Sequence, residues 1–198
     1  MAIEAPSRRR AIEDVASALF RERGYAATSV RDIARALDIR GASLYAHVTS
    51  KEDVLWAIVE RAASAFEDAA ARALDTGDGP ADATNRLAAL VRTHVAVIAA
   101  DPELASVFVN EWRHLSGERR EAILARRDAY EARFRGLVTE GMAAGDFTST
   151  DPAVAATFLL TALNGIAGWY RPEGRLSANR IADHYADLAV RALTEDHR

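Results

Sequence analysis

The chain has 198 residues, 49% of them apolar, and a formal net charge of −4 at pH 7, which suits one or two small packed domains. It has no cysteine, which excludes disulfides, Cys-ligated zinc and thiol nucleophiles. No run approaches the ~20 unbroken apolar residues of a membrane helix, and the basic N-terminus lacks the apolar stretch of a secretory signal, so a cytoplasmic protein is expected.

Taken in chain order, nearly everything reads as helix. Ile12, Val15, Ala16, Leu19 and Phe20 recur at helical spacing, and Gly24 ends that segment. Ser29 with Asp32 opens a second helix, whose apolar face is Val30, Ile33, Ala34 and Leu37. After a break at Asp38–Gly41, a third short helix runs over about Ala42–Val48. Ser50 with Asp53 repeats the capping pattern and starts a long helix to about Leu74. Thr76–Pro80 is the clearest loop. Further helices are expected over Ala81–Ala99, from Pro102 to the break at Ser116-Gly117, over Glu118–Ala144, from Pro152 to about Tyr170, and from Ser177 to about Leu193. The alternating, β-branched runs of strands are missing. The expected class is all-α: a three-helix head over 1–50 and a helical body over 51–198, about nine helices in total.

Charge is unevenly placed. The first 50 residues carry eight arginines against six acidic residues, and the rest of the chain carries a net −6. A basic head on an acidic body fits a nucleic-acid contact at one end. Ser29–His47 also has helix-turn-helix anatomy. Val30, Ile33 and Leu37 face a core, small Ala34 permits a close crossing, Ile39 plugs the turn, and Leu44 and Val48 anchor the second helix. Arg40, Ser43, Ala46 and His47 are left on outer faces, where such a helix can enter the major groove.

The segment with Gly24-Tyr25, Thr28-Ser29-Val30, Ile33-Ala34, Ser43-Leu44-Tyr45, His47 and Ser50-Lys51-Glu52 resembles the DNA-binding head of the tetracycline-repressor family of transcriptional regulators. The resemblance implies roles position by position. Ser29 and Arg31 would flank the groove, and Arg40, Gly41 and Ser43 would face base edges. Tyr45, His47 and Lys51 would hold phosphates. Three positions depart from the family pattern: Asp38 stands for the usual turn glycine, Val48 for an aromatic residue, and Ala46 is short. Arg8-Arg9-Arg10 is either a DNA-reaching arm or a solvated end.

The same resemblance implies that the body binds a ligand and builds a homodimer through its last two helices. Phe158, Leu159, Ala162 and Ile166, with Ile181, Tyr185 and Leu188, recur at helical spacing and are the expected dimer face. Asn110-Glu111-Trp112-Arg113, followed by Trp169-Tyr170, Pro172, Gly174 and Leu176-Ser177, resembles a branch of the family that senses acyl-coenzyme A thioesters, including regulators of lipid, steroid or aromatic-acid breakdown. The expected ligand residues are Trp112, Arg113, Arg127, Tyr130, Phe134, Asn164 and Trp169. The plain reading of the arginine-rich helix is a solvated, ion-paired face.

The implied function is a dimeric, ligand-responsive repressor of a near-palindromic DNA operator, with no cofactor. A multidrug-sensing repressor of an efflux gene is the alternative, against which the many arginines lean. An enzyme is not expected. There is no Gly-rich phosphate loop after a strand and no Gly-x-Ser-x-Gly elbow, and the single Glu-x-x-His, Glu111 with His114, has no second copy for a di-metal bundle.

Overall fold

The computed structural model describes residues 7–75 and 82–194; the expected loop at Thr76–Pro80 lies outside them. The described residues form nine α-helices and no strand: α1 (Arg8–Arg23), α2 (Val30–Ala36), α3 (Gly41–Tyr45), α4 (Lys51–Leu74), α5 (Ala83–Ala100), α6 (Pro102–Asn110), α7 (Gly117–Ala144), α8 (Pro152–Trp169) and α9 (Ala178–Thr194). A 3-10 turn, Trp112–His114, joins α6 to α7. The chain divides into two compact units. One is Met1–Ala63 with Glu103–Ile123, and the other is Ser64–Pro102 with Leu124–Arg198.

In the first unit, Ser7 caps α1 by accepting the Arg10 N–H at 3.3 Å. Gly24 ends the helix at φ 82°, a conformation that glycine adopts without steric cost. Ile12, Ala16 and Phe20 of α1 are buried, as are Ile33 and Ala34 of α2 and Leu44 of α3. α2 packs on both α1 and α3. α3 is a single turn, shorter than its apolar pattern suggests. The N–H groups of His47 and Val48 both donate to the Leu44 carbonyl, at 2.9 and 3.2 Å, which tightens the chain into a turn. That turn still swings Val48 into the core, where it is 2% exposed.

In the second unit, α5 packs against both α8 and α9. The small buried residues Ala182, Ala186 and Ala189 let α9 approach closely, and Ile181 and Leu193 complete its inner face. Leu87, Leu90, Val91, Val95 and Ile98 of α5 form the other side of this core. Arg126 of α7 grips Glu67 through two hydrogen bonds of 2.7 Å and reaches Ser64 Oγ at 2.9 Å. Such a bidentate pair fixes α7 against the second half of α4. Gly145, at φ 82°, closes α7.

Candidate nucleic-acid interface and effector residues

The helix-turn-helix is held by local hydrogen bonds that its sequence specifies. Ser29 caps α2: its Oγ accepts the Asp32 N–H at 3.2 Å, and Asp32 accepts the Ser29 N–H at 2.9 Å. This capping box satisfies two otherwise orphaned donors. The Ser29 hydrogen bonds, helped by Arg35 and Arg23, hold the Asp32 carboxyl below its usual range. The turn that follows passes through Asp38 at φ 53°, the only non-glycine at positive φ among the described residues. Asp is one of the few residues that tolerates this region.

Arg40 then caps α3 in an extended conformation, without a side-chain cap bond. Because Leu44 points inward, Arg40, Ser43, Tyr45 and His47 are all exposed, with Tyr45 at 57%. Tyr45 is therefore an outward-facing aromatic and not a core residue. Arg31, Arg35, Asp38, Arg40 and Gly41 line one shallow groove. Arg35 pairs with Asp32 at 3.3 Å, whereas Arg31 and Arg40 have no ion pair among the described residues and keep their donors for an incoming anion.

Asp38 is the discordant group on this surface. Asp38→Gly should raise stability by up to about 1 kcal/mol, because glycine removes the left-handed backbone cost. It should also tighten binding to any DNA duplex at low salt by deleting a negative charge, an advantage that fades as salt screens it. Thermal melts and a salt series of binding isotherms check both effects. Weaker binding at low salt would show that the carboxylate makes a contact of its own.

Lys51 has a different first task from the one expected. Its ammonium donates to the carbonyls of Tyr25 and Thr28, each at 2.8 Å, and lies 4.1 Å from the Tyr25 ring centroid. Two of its three N–H groups are thereby spent on clamping the α1–α2 turn, which leaves one for a phosphate. The same tyrosine is stacked on His114 at 5.0 Å, and its N–H donates to Glu111 at 3.3 Å. Burial, aided by the Glu52 carboxylate, pushes the Tyr25 hydroxyl up.

Asp53 organises the other side of the head. It accepts the Thr49 N–H at 3.1 Å and pairs with Arg9 at 3.5 Å and Arg119 at 3.2 Å. Burial raises its pKa, but the Thr49 hydrogen bond and the two guanidinium groups outweigh burial and hold the carboxyl below its ordinary value. Arg9 also donates to the His47 carbonyl at 3.3 Å, and Arg10 pairs with Asp14 at 3.1 Å. Two of the three N-terminal arginines are thus tied down within the head and do not form a free arm.

Of the expected ligand residues, Tyr130 and Phe134 are brought together, with ring centroids 5.8 Å apart. Both pack against His94, a residue that belongs to no motif in the sequence. His94 is 2% exposed, lies 4.7 Å from Phe66, and bonds Tyr130 Oη through Nδ1 at 3.0 Å. Burial drives its pKa down to about 3 against a weaker opposing interaction with Asn164, so the ring is neutral. Among the described residues its Nε2 makes no hydrogen bond of good geometry. Trp112 and Arg113 fall in the first unit, Arg127 stands one turn before Tyr130 on α7, and Trp169 is 50% exposed on α8.

The expected dimer face also divides. Leu159, Ile166 and Ile181 are at most 3% exposed, because they fill the core of their own unit and are not available to a partner. Phe158 and Leu188 are each 60% exposed, Ala162 is exposed, and Tyr185 is half-buried. Val154, at 64% exposed, extends the outward stripe of α8 by one turn before Phe158, and Trp169 by two turns after Ala162. The window Pro152–Trp169 has a mean hydropathy of 1.3, yet only a third of it is buried.

Comparison with known proteins agrees over both halves of the chain. Residues 12–58 match the family model described as bacterial regulatory proteins of the tetR family. Residues 80–193 match the tetracyclin repressor-like C-terminal domain. The chain is 30% identical over 192 residues to the HTH-type transcriptional repressor KstR2 of Rhodococcus jostii, covering 96% of this chain and 93% of that one. The structure of the ketosteroid transcriptional regulator KstR2 of Mycobacterium tuberculosis superposes with a TM-score of 0.89 at 26% identity, covering 98% of each chain. The complex of AibR with isovaleryl coenzyme A and operator DNA superposes with a TM-score of 0.81 at 30% identity, covering 92% of this chain and 97% of that one.

Proposed function

The chain belongs to the tetR family of bacterial transcriptional regulators, and from that premise we propose a homodimeric repressor that a small molecule releases from a near-palindromic DNA operator. The observation that carries this reading is the outer face of the helix-turn-helix. There, Arg31 and Arg40 are exposed and unpaired among the described residues, beside Ser43, Tyr45 and His47. Residues 1–50 would supply the DNA contacts and 51–198 the ligand and dimer contacts. Arg40 is the base reader in this scheme, since a guanidinium can bond guanine O6 and N7 together. Ser29, Arg31, Tyr45 and His47 hold the backbone, and a cytoplasmic location follows from the DNA target.

Two features support a homodimer. Val154, Phe158, Ala162 and Trp169 leave an apolar stripe uncovered on α8, and Leu188 does the same on α9. The relatives are repressors, and a two-fold pair of heads matches a near-palindromic site. For the effector we propose an acyl-coenzyme A, as the AibR complex holds. Its acyl chain would lie against Tyr130, Phe134 and Asn164 around His94. The coenzyme would be held by arginines.

The test starts with selection of duplexes from a random pool, followed by binding isotherms on the winner. The expected winner has two inverted half-sites about one helical turn apart. Arg40→Ala should change the preferred bases by about 1–3 kcal/mol at one position of each half-site. An equal loss on every operator variant would remove Arg40 from base readout. Addition of isovaleryl coenzyme A and longer acyl-coenzyme A thioesters should release the duplex. Release by cationic drugs alone would overturn the acyl-coenzyme A reading in favour of an efflux regulator.

A further inference from the structure

We propose that Trp112, Arg113 and Arg120 form a binding site for the phosphate groups of a small molecule. The proposal deepens the effector reading and rests on it in one respect, that the small molecule carries phosphate.

Trp112 is 8% exposed, so its indole is a fixed wall. The Arg113 and Arg120 guanidinium carbons lie 4.9 and 5.6 Å from its ring centroids. Arg120 also donates to the Arg113 carbonyl at 3.0 Å, which holds the second side chain beside the first. Two like charges are therefore gathered on one aromatic ring.

Nearby carboxylates do not neutralise them. Glu111 is engaged by the Tyr25 N–H and lies 3.4 Å from His114. Glu52 accepts both the N–H and the hydroxyl of Ser116, each at 3.0 Å. Asp53 takes Arg119, the immediate neighbour of Arg120. Among the described residues neither Arg113 nor Arg120 forms an ion pair, although Glu118 and Glu121 stand on the same turns of α7.

Arg120 sits in the first turns of the 28-residue α7, whose positive dipole end disfavours a cation. The indole compensates each guanidinium only in part. A doubly charged phosphate answers both arginines at once, through the bidentate geometry that guanidinium groups offer to phosphate oxygens. A carboxylate, with a single negative charge, would neutralise only one of the two. None of the three residues lies on α2 or α3, which points to a small molecule and away from the DNA backbone.

The experiment is titration calorimetry of the full chain with coenzyme A and with inorganic pyrophosphate at low salt. It compares wild type with the double variants R113E/R120E and R113Q/R120Q, whose folding is checked by thermal melts. Both side chains are exposed, so both variants should fold. Wild type should bind both probes, and each variant should bind them at least tenfold more weakly, the loss expected for a charge-assisted hydrogen bond.

Absence of binding to wild type, or unchanged affinity in the variants, would overturn the proposal. Unchanged coenzyme A affinity with a random-duplex salt slope reduced by about two would instead give these arginines to DNA phosphates. The two readings also separate. Probes bound through this pair with no release of DNA by any acyl-coenzyme A leave the site standing and remove the effector reading. Release that is identical in wild type and both variants does the reverse.

Discussion

Phe158→Glu is expected to give a folded monomer that no longer binds the operator at concentrations where wild type saturates it. Phe158 is 60% exposed in the isolated chain, so a carboxylate there costs the protomer almost nothing. Across a two-fold interface the same side chain would place an unpaired charge in an apolar contact, which typically costs several kcal/mol. Losing the dimer also removes the second head. Linked heads gain about 10²–10⁴ in avidity over one head, so operator affinity should fall by at least about a hundredfold. Light scattering reads the mass, circular dichroism the fold, and anisotropy the affinity. A variant that remains dimeric would move the interface away from α8.

The second large effect is a loss of stability in mild acid, centred on His94. Burial brings its pKa in the folded protein to about 3, whereas an unfolded histidine titrates near 6.5. As pH falls below 6.5, the unfolded chain takes up a proton that the folded one refuses. The unfolded state then binds more protons, so stability falls with pH. The limiting slope is about 1.4 kcal/mol per pH unit, which amounts to about 2 kcal/mol between pH 7.5 and 5. His94→Gln, which can still bond Tyr130, should flatten the profile by that slope. Denaturant melts at several pH values check it, and an unchanged slope in the variant would clear His94 of the effect.

Most helix boundaries were legible because their signals are local. Ser29 with Asp32, Ser50 with Asp53, Gly24, Gly145, Pro152 and Ser177 all act where the sequence places them. The outward face of α3 was legible too, since Leu44 fixes which way its single turn points. What could not be read was decided by packing across long separations. Leu159 and Phe158 are neighbours of similar apolarity, and tertiary packing decides that the first is buried and the second exposed. Lys51 looked like a free phosphate ligand because its two carbonyl partners belong to a turn 23 and 26 residues away. His94 carried a signal that went unread. It falls among Leu87, Leu90, Val91, Val95 and Ile98 on the apolar face of α5, a position from which a histidine can only be buried.

The participation of Glu103–Ile123 in the first unit has a consequence for how such regulators can be recombined. The α1–α2 turn depends on Glu111 and His114, and the α3–α4 turn on Arg119 through Asp53, while Ser116 is joined to Glu52. A head transplanted as its first fifty residues would leave those partners behind and meet foreign ones at the seam. New DNA specificity is therefore easier to acquire by changing outward side chains such as Arg40 and Ser43 than by exchanging whole heads. A graft that does succeed should have carried the stretch between α6 and the start of α7 along with it.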